Sequence, residues 1–468
     1  MTNIGSTSFK FQLLAMPEEK VVAKGAVERV GSSSAAARYQ IIPAGDGGVG
    51  NGGAGNGGVG NGDVTAQTAA KVINIDTSID TSGTGGGYLA CISHMLGVLQ
   101  SAGHSFQAVG FKTVHGGTLD EPVLVDDSVM SKMEDYSGVA PAHNPPYLAA
   151  MRAFRQKLPA MPLVAVFETW FHRDMPLPAK LYAVPYEWYE KYGVRRYGFH
   201  GASHRYVSQA VPRLLERERE RQKVKGLEKD QRWEEGAGRA GRAGLADRAG
   251  RAGRAGLAGL AGMASLRIIS CHLGGSSSIC AIRNGVSVDT SMGFSPQSGL
   301  PMSNRCGELD PYVIRYIMQK TGMDFEQVLQ VLAEKSGLLG ISGISGDVRD
   351  LLAARDKEPR AAAALDFLLY EVRKYIGAFA AAMNGVDAIA FTGGIGENDV
   401  ELRRRLCKDL SFLGVELDEE KNASACGSRG LVDTIISAPT SQVDVVVIKA
   451  NEELIVARET YRIVKAML

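Results

Sequence analysis

Six of the eight histidines in this 468-residue chain sit in polar, glycine-flanked stretches: His115, His143, His172, His200, His204 and His272. Histidines collected into such loops are less often packing residues than scattered ones. His200 and His204 have the i, i+4 spacing of a metal-binding pair. The flanking Gly198 and Gly201 argue against a firm helix there, and no third ligand is obvious, which disfavours zinc. Arg305, in Ser303-Asn304-Arg305-Cys306-Gly307-Glu308, stands just before an expected helix start. Its planar fork suits a carboxylate or a phosphate, and equally an ion pair with Glu308 or Asp310. Glu168 closes an apolar run at Phe167-Glu168-Thr169, where a catalytic or metal-binding carboxylate and a helix cap are both open readings.

Two glycine- and serine-rich turns each lead into an apolar run. One is Asn3-Ile4-Gly5-Ser6-Thr7-Ser8-Phe9-Lys10, the other His272-Leu273-Gly274-Gly275-Ser276-Ser277-Ser278. Free backbone N–H groups and hydroxyls suit such turns to a phosphate. A pair of them suggests a phosphate held between two related domains.

The elements that must position these residues alternate short β-rich runs with helical patterns, which argues α/β. Val164–Phe167, Arg267–Ser270, Ala388–Phe391 and Val443–Ile448 read as buried strands. Asp310-Pro311 begins a helix that Gly322 ends. Leu365, Leu368, Leu369, Val372, Ile376, Phe379 and Met383 keep helical spacing up to a stop at Asn384-Gly385, and Asn284-Gly285 marks a hairpin.

Fifty-two Lys and Arg against 51 Asp and Glu leave a net charge of +1, so no global charge favours nucleic acid or an anionic membrane. No apolar run approaches the roughly 18 residues of a membrane span, and the N-terminus lacks the regions of a signal peptide. Six cysteines without a C-x-x-C pair read as reduced thiols in a cytoplasmic protein. The glycine excess is confined to two low-complexity segments. The first, about 44–63, contains G-x-G-x-x-G at Gly45, Gly47 and Gly50, but the pattern recurs at once with no helix following, so a surface loop is preferred to a dinucleotide fingerprint. The second, about 216–264, is a run of alternating charge that suits a solvated helical extension, then Arg-Ala-Gly repeats without aromatics that read as a linker.

Several motifs together resemble the acetate kinases, or acetokinases, of the sugar-kinase/actin-like superfamily. They are Val114-His115-Gly116-Gly117, Ala140-Pro141-Ala142-His143-Asn144-Pro145, Tyr197-Gly198-Phe199-His200-Gly201, Asp289-Thr290-Ser291-Met292-Gly293-Phe294, Phe391-Thr392-Gly393-Gly394-Ile395-Gly396-Glu397-Asn398 and Asn451-Glu452-Glu453-Leu454. The resemblance implies two related domains of mixed β-sheet and helices, an actin-like fold with an interdomain cleft. The first would span 1–172 with 454–468, and the second, nucleotide-binding, 173–453. It further implies ATP-dependent phosphorylation of acetate to acetyl phosphate by direct in-line transfer, in a homodimer.

Residue by residue, the resemblance assigns Asn3 and Glu452 to Mg²⁺ (or Mn²⁺), and Lys10, His272, Leu273, Gly274, Gly275, Ser276, Asp347, Val348, Arg349, Gly394, Ile395, Gly396, Glu397 and Asn398 to ATP or ADP. Glu168, His200 and Arg305 take catalytic positions. Lys112, Val114, Ala142, His143, Phe199 and Pro296 surround the small carboxylate. Four of these depart from the family's pattern: Lys112 stands for arginine, Glu168 for aspartate, Gly275 for asparagine and Ala142 for leucine. The chain also begins two residues ahead of Asn3, which shortens the usual first strand. Lysine keeps charge but loses the bidentate fork. Two alternatives follow: a propionate kinase, because Ala142 leaves room, or an impaired homologue acting as a nucleotide-binding or interaction protein.

Overall fold

The computed structural model describes residues 1–5, 7–42, 72–82, 87–236, 266–427 and 433–467, with side chains to 223 in the helix ending at 236. Packing divides the chain into two units, Met1–Phe167 with Glu453–Leu468, and Glu168–Glu452. The sequence expectation placed the first division after 172. The short turn Trp170–His172 instead belongs to the second unit, because His172 Nδ1 lies 2.8 Å from Ser287 Oγ and Nε2 3.0 Å from Phe199 O.

In the first unit β1 (Thr2–Gly5) pairs antiparallel with β2 (Ser8–Ala15), joining Asn3 to Lys10. Strands β3 (Lys20–Glu28), β4 (Ala35–Ile41) and β5 (Ile73–Ile79) extend the sheet antiparallel. On the other side β6 (Val109–Thr113) runs parallel to β1, and β8 (Leu163–Phe167) parallel to β6, with β7 (Val123–Leu124) at the edge. Alternation in β2 sets which face is core: Phe9 and Phe11 are buried, while Lys10 between them is exposed. Helices Tyr88–Ser101 and Asn144–Lys157 provide the crossovers that parallel pairing requires. Phe111 meets Phe154 edge-on at 5.5 Å in the core they cover.

The second unit repeats that plan. β10 (Ser278–Arg283) pairs antiparallel with β9 (Arg267–His272) and with β11 (Val286–Thr290). β12 (Ala388–Thr392) is parallel to β9, β14 (Asp444–Val447) parallel to β12, and β13 (Thr434–Ile435) is the antiparallel edge. Thus β3-β2-β1-β6-β8 and β11-β10-β9-β12-β14 share order and sense. β12 is buried at every position, as a strand covered on both faces must be. Helix Pro359–Ala382 covers one face with Leu365, Leu368, Leu369, Val372 and Ile376, each burial being worth about 1.5–3 kcal/mol. The expected hairpin turn has Asn284 and Gly285 at φ 57° and 76°. The charge run after Glu216 continues the helix Gly201–Gly236, and the Arg-Ala-Gly repeats lie outside the described residues, as does the glycine-rich segment. Among the described residues no helix is long and apolar enough to cross a membrane.

Candidate active site

In the second unit the histidines gather where β9 ends and the helix Gly201–Gly236 begins. The expectation of no firm helix there is corrected: the helix starts at Gly201, which puts His204 in its first turn. Gly201 N donates to Glu168 O at 2.9 Å, and a Cβ on Gly201 would lie 2.3 Å from that oxygen, so only glycine admits the approach. His200, immediately before, has φ 55°, a left-handed backbone uncommon outside glycine and found at functional sites. Its Nδ1 lies 2.8 Å from Ser278 Oγ. The same hydroxyl is 2.8 Å from His204 Nε2, and His204 Nδ1 is 2.8 Å from Ser270 Oγ. His204 thus spends both nitrogens on serines. His272 stacks on His200 with ring centroids 4.3 Å apart, its Nδ1 2.8 Å from Ser203 Oγ.

Burial depresses the basicity of two of these rings, His172 and His204. It pushes His172 down to about 4, and it holds His204 well below the ordinary histidine value, helped by the neighbouring His172 and His272. Both rings are neutral near pH 7. Glu168 is buried beside the turn, only 4% exposed.

Arg305 is held by its own surroundings. Its Nη1 donates to Pro296 O at 3.2 Å and to Ser276 Oγ at 3.3 Å, and burial pushes its pKa below the usual guanidinium value. Asp310 stands one residue ahead of the N-cap Pro311 of the helix Tyr312–Thr321 and accepts from Tyr312 N at 2.9 Å, and Glu308 accepts from the Tyr375 hydroxyl at 3.3 Å.

A cavity of about 960 Å³ gathers Gly274, Gly275, Asp347, Val348, Arg349, Gly394, Ile395 and Asn398, all assigned to nucleotide by resemblance. Gly393 turns β12 into the short helix Gly393–Asn398 with φ 78°, where a Cβ would meet Leu273 O at 2.7 Å. Leu273 and Glu397 do not line the cavity but support it. Leu273 O accepts from Ile395 N at 2.8 Å and Gly396 N at 3.1 Å, and Glu397 Oε1 from Gly393 N and Ala450 N. Asp347 caps the helix Val348–Ala354 and binds the Arg349 guanidinium, which together with the backbone bond from Arg349 N holds its carboxyl down to about 2. His272, Ser276 and Gly396 lie outside the lining.

In the first unit Asn3 and Lys10 share a cavity of about 300 Å³ with Lys24, Arg38, Gln40 and Glu453. Asn3 Oδ1 accepts from the Tyr147 hydroxyl at 3.2 Å. Glu452, in the second unit, begins the helix Glu452–Lys465 with its Oε1 buried. An amide oxygen and a carboxylate are hard donors of the kind Mg²⁺ takes beside phosphate and water. Lys112 is half-buried on β6, Val114 packs at the edge of the core, and Ala142 is exposed. His143 precedes the helix Asn144–Lys157; there Asn144 Nδ2 donates to His115 O at 2.9 Å and to Met133 O at 2.8 Å, anchoring the turn that carries Val114. Phe199 is buried and Pro296 takes part through its carbonyl.

Sequence reasoning missed the serines that hold the histidines, Ser203, Ser270 and Ser278, and the cavity residues Asn304, Leu352 and Cys426. Ser278 is the direct cross-strand partner of His272, a register that no local sequence pattern encodes.

The model of the acetokinase family matches residues 64–225 and 259–458. The acetate kinase of Shouchella clausii is 40% identical over 464 residues, 98% of each chain, and that of Halothermothrix orenii 39% over 466 residues, 99% of this chain and 98% of the relative. Among solved structures, an acetate kinase from Porphyromonas gingivalis is similar at a TM-score of 0.74 and 31% identity, covering 99% of this chain and 98% of that one. A propionate kinase from Francisella tularensis is similar at 0.75 and 27%, covering 98% of each. With the family model matched across both units and near-full-length relatives at 40% identity, the chain belongs to the acetokinase family.

Proposed function

We propose that this chain phosphorylates acetate with ATP, giving acetyl phosphate and ADP. One carboxylate oxygen attacks the γ-phosphorus in line, the new P–O bond forms as the bond to the β,γ-bridging oxygen breaks, and ADP departs. The observation that carries this reading is the 960 Å³ cavity, which joins the Gly274–Gly275 turn, the Asp347–Arg349 helix start and the Gly394–Asn398 turn in a member of this family.

Catalysis of this kind is positioning and charge neutralisation. Backbone N–H groups of the Gly274 and Gly394 turns approach the phosphates, and Lys10 adds charge. His200 and Arg305 donate to the equatorial oxygens of the transferring group. Glu168, Lys112 and His143 act around the carboxylate, and Val114, Phe199 and Pro296 around its methyl group. Asn3 and Glu452 would hold Mg²⁺, which when bound neutralises phosphate charge.

A second reading, propionate preference, rests on Ala142, an exposed alanine just before the helix Asn144–Lys157 where a bulkier side chain would take more room; one methylene is worth about 1–3 kcal/mol. Trapping acyl phosphate as the hydroxamate, with ATP, Mg²⁺ and acids of two to four carbons, tests both. Product with acetate above the other acids supports the first reading, a propionate maximum supports the second, and no product with any acid leaves a nucleotide-binding homologue. We propose a homodimer in the cytoplasm as well. Exposed Tyr312, Tyr316 and Phe325 on two packed helices, with Phe367 and Tyr370 on a third, are the kind of surface a second copy covers. A monomeric mass by light scattering would refute the dimer.

A further inference from the structure

A hydroxyl placed between two imidazole nitrogens has one proton to give, so one ring must donate to it and the other must accept from it. Ser278 Oγ is in that position, 2.8 Å from His200 Nδ1 and 2.8 Å from His204 Nε2. Which ring donates is decided one bond further in. His204 Nδ1 lies 2.8 Å from Ser270 Oγ, and both Ser270 and His204 are fully buried.

Consider the two directions. If His204 carried its proton on Nδ1, it would donate to Ser270 Oγ and leave the Ser270 hydroxyl proton buried with no acceptor among the described residues. Such a group costs about 1–3 kcal/mol. If His204 carries its proton on Nε2, Ser270 donates to Nδ1, His204 Nε2–H donates to Ser278 Oγ, and Ser278 donates to His200 Nδ1. Every proton in the chain then has a partner. Burial keeps His204 neutral, so it has one N–H and not two.

We infer that Ser270, His204 and Ser278 form a directed hydrogen-bond chain that fixes His200 in its Nε2–H tautomer, which makes Ser278 and His204 positioning residues for phosphoryl transfer. The inference rests on the proposed role of His200. A neutral ring whose Nδ1 is held as acceptor presents an N–H at Nε2, the group needed to donate to a phosphoryl oxygen. The left-handed backbone of His200 and its stacking on His272 fix the plane of the ring, and the serine chain fixes its proton.

The test uses the full chain labelled with ¹⁵N-histidine, with the His200 signals identified by their loss in His200→Gln. Expected is a protonated Nε2 and a bare Nδ1 on His200. Ser278→Ala should give mixed tautomers and a kcat about five- to tenfold lower, with the KM for ATP within about twofold, the effect of one lost orienting hydrogen bond. Ser278→Thr, which keeps the hydroxyl, should retain both the spectrum and the rate. A protonated Nδ1 in the wild type, or an unchanged His200 spectrum in Ser278→Ala, overturns the chain. Should Ser278→Ala fail to fold, Ser270→Ala carries the test two hydrogen bonds away. Mixed His200 tautomers there support the direction, and an unmixed His200 overturns it. If the spectra behave as expected while His200→Gln keeps its turnover, the chain stands and the proposed role of His200 falls.

Discussion

Replacing Arg305 by alanine separates a catalytic guanidinium from a structural one, because the structure sets two different magnitudes. In the folded chain Arg305 donates to Pro296 O and Ser276 Oγ. Removing it leaves a buried carbonyl short of a donor, a loss of about 1–3 kcal/mol of stability. For a unit of this size, each kcal/mol lowers Tm by roughly 2–4 °C. If the guanidinium also donates to the transferring phosphoryl group, its loss removes an interaction strengthened in the transition state. That costs about 10²- to 10³-fold in kcat, the scale of one preorganised donor.

The assay is kcat and KM for ATP and acetate by hydroxamate trapping, with a thermal melt on the same preparation. Arg305→Ala should melt a few degrees lower, stay folded at 25 °C and turn over at least about a hundredfold more slowly. Arg305→Lys should fall between, since it keeps the charge and loses the planar fork. A variant with the lower Tm but unchanged kcat would make Arg305 a structural residue. A raised KM for ATP at constant kcat would mean that it binds ground state and transition state alike.

Three further outcomes follow from particular contacts. Ile41 and Ile73 are direct cross-strand partners, so replacing residues 43–71 by a short Asn-Gly turn should close the β4–β5 hairpin with Tm and turnover retained; loss of soluble protein would refute the segment's status as an appended loop. Among the described residues a Cβ on Gly275 meets only Ser303 Oγ, at 3.5 Å, so Gly275→Asn should fold normally and lower the KM for ATP about two- to tenfold; a rise in KM would exclude a phosphate contact from that side chain. Burial holds His172 down to about 4, so between about 6.5 and 4 the unfolded chain binds a proton that the folded chain refuses, and stability falls as pH drops through that window. His172→Asn should make this slope shallower by about 1.4 kcal/mol per pH unit in denaturant melts, and an unchanged slope would contradict a buried neutral ring.

The buried strands of the second unit were legible because strands covered on both faces read as continuous apolar runs: Arg267–His272, Ala388–Thr392 and Asp444–Val447 all followed. β5 was not, since Ile73-Asn74-Ile75-Asp76-Thr77 is largely exposed and follows a glycine-rich stretch that masks its beginning. The helix start at Gly201 was hidden because glycine is a poor helix former. Its N–H, left without a partner inside the first turn, goes instead to Glu168 O, a bond between residues far apart in sequence. The serines around the histidines were unreadable for the same kind of reason. Ser278 reaches His200 across 78 positions and Ser270 reaches His204 across 66, through a strand register that no local pattern encodes.

The two glycine- and serine-rich turns stand on equivalent ground. β1–β2 and β9–β10 are each an antiparallel hairpin whose first strand runs parallel to the next strand of its sheet, β6 or β12. The shared topology explains why a similar turn occurs twice, but the side chains it carries have diverged. The first hairpin sets Lys10 opposite Asn3, a charge beside an amide. The second sets Ser278 opposite His272, and from there the hydroxyl reaches His200 and His204. A scaffold used twice in one chain therefore cannot by itself assign chemistry to either copy; the assignment comes from the residues placed on it. Acetate and propionate kinases both share this fold at TM-scores near 0.75, so the fold does not choose the acid. Under the proposed function that choice falls to the side chains set around the carboxylate, Ala142 and Lys112 among them.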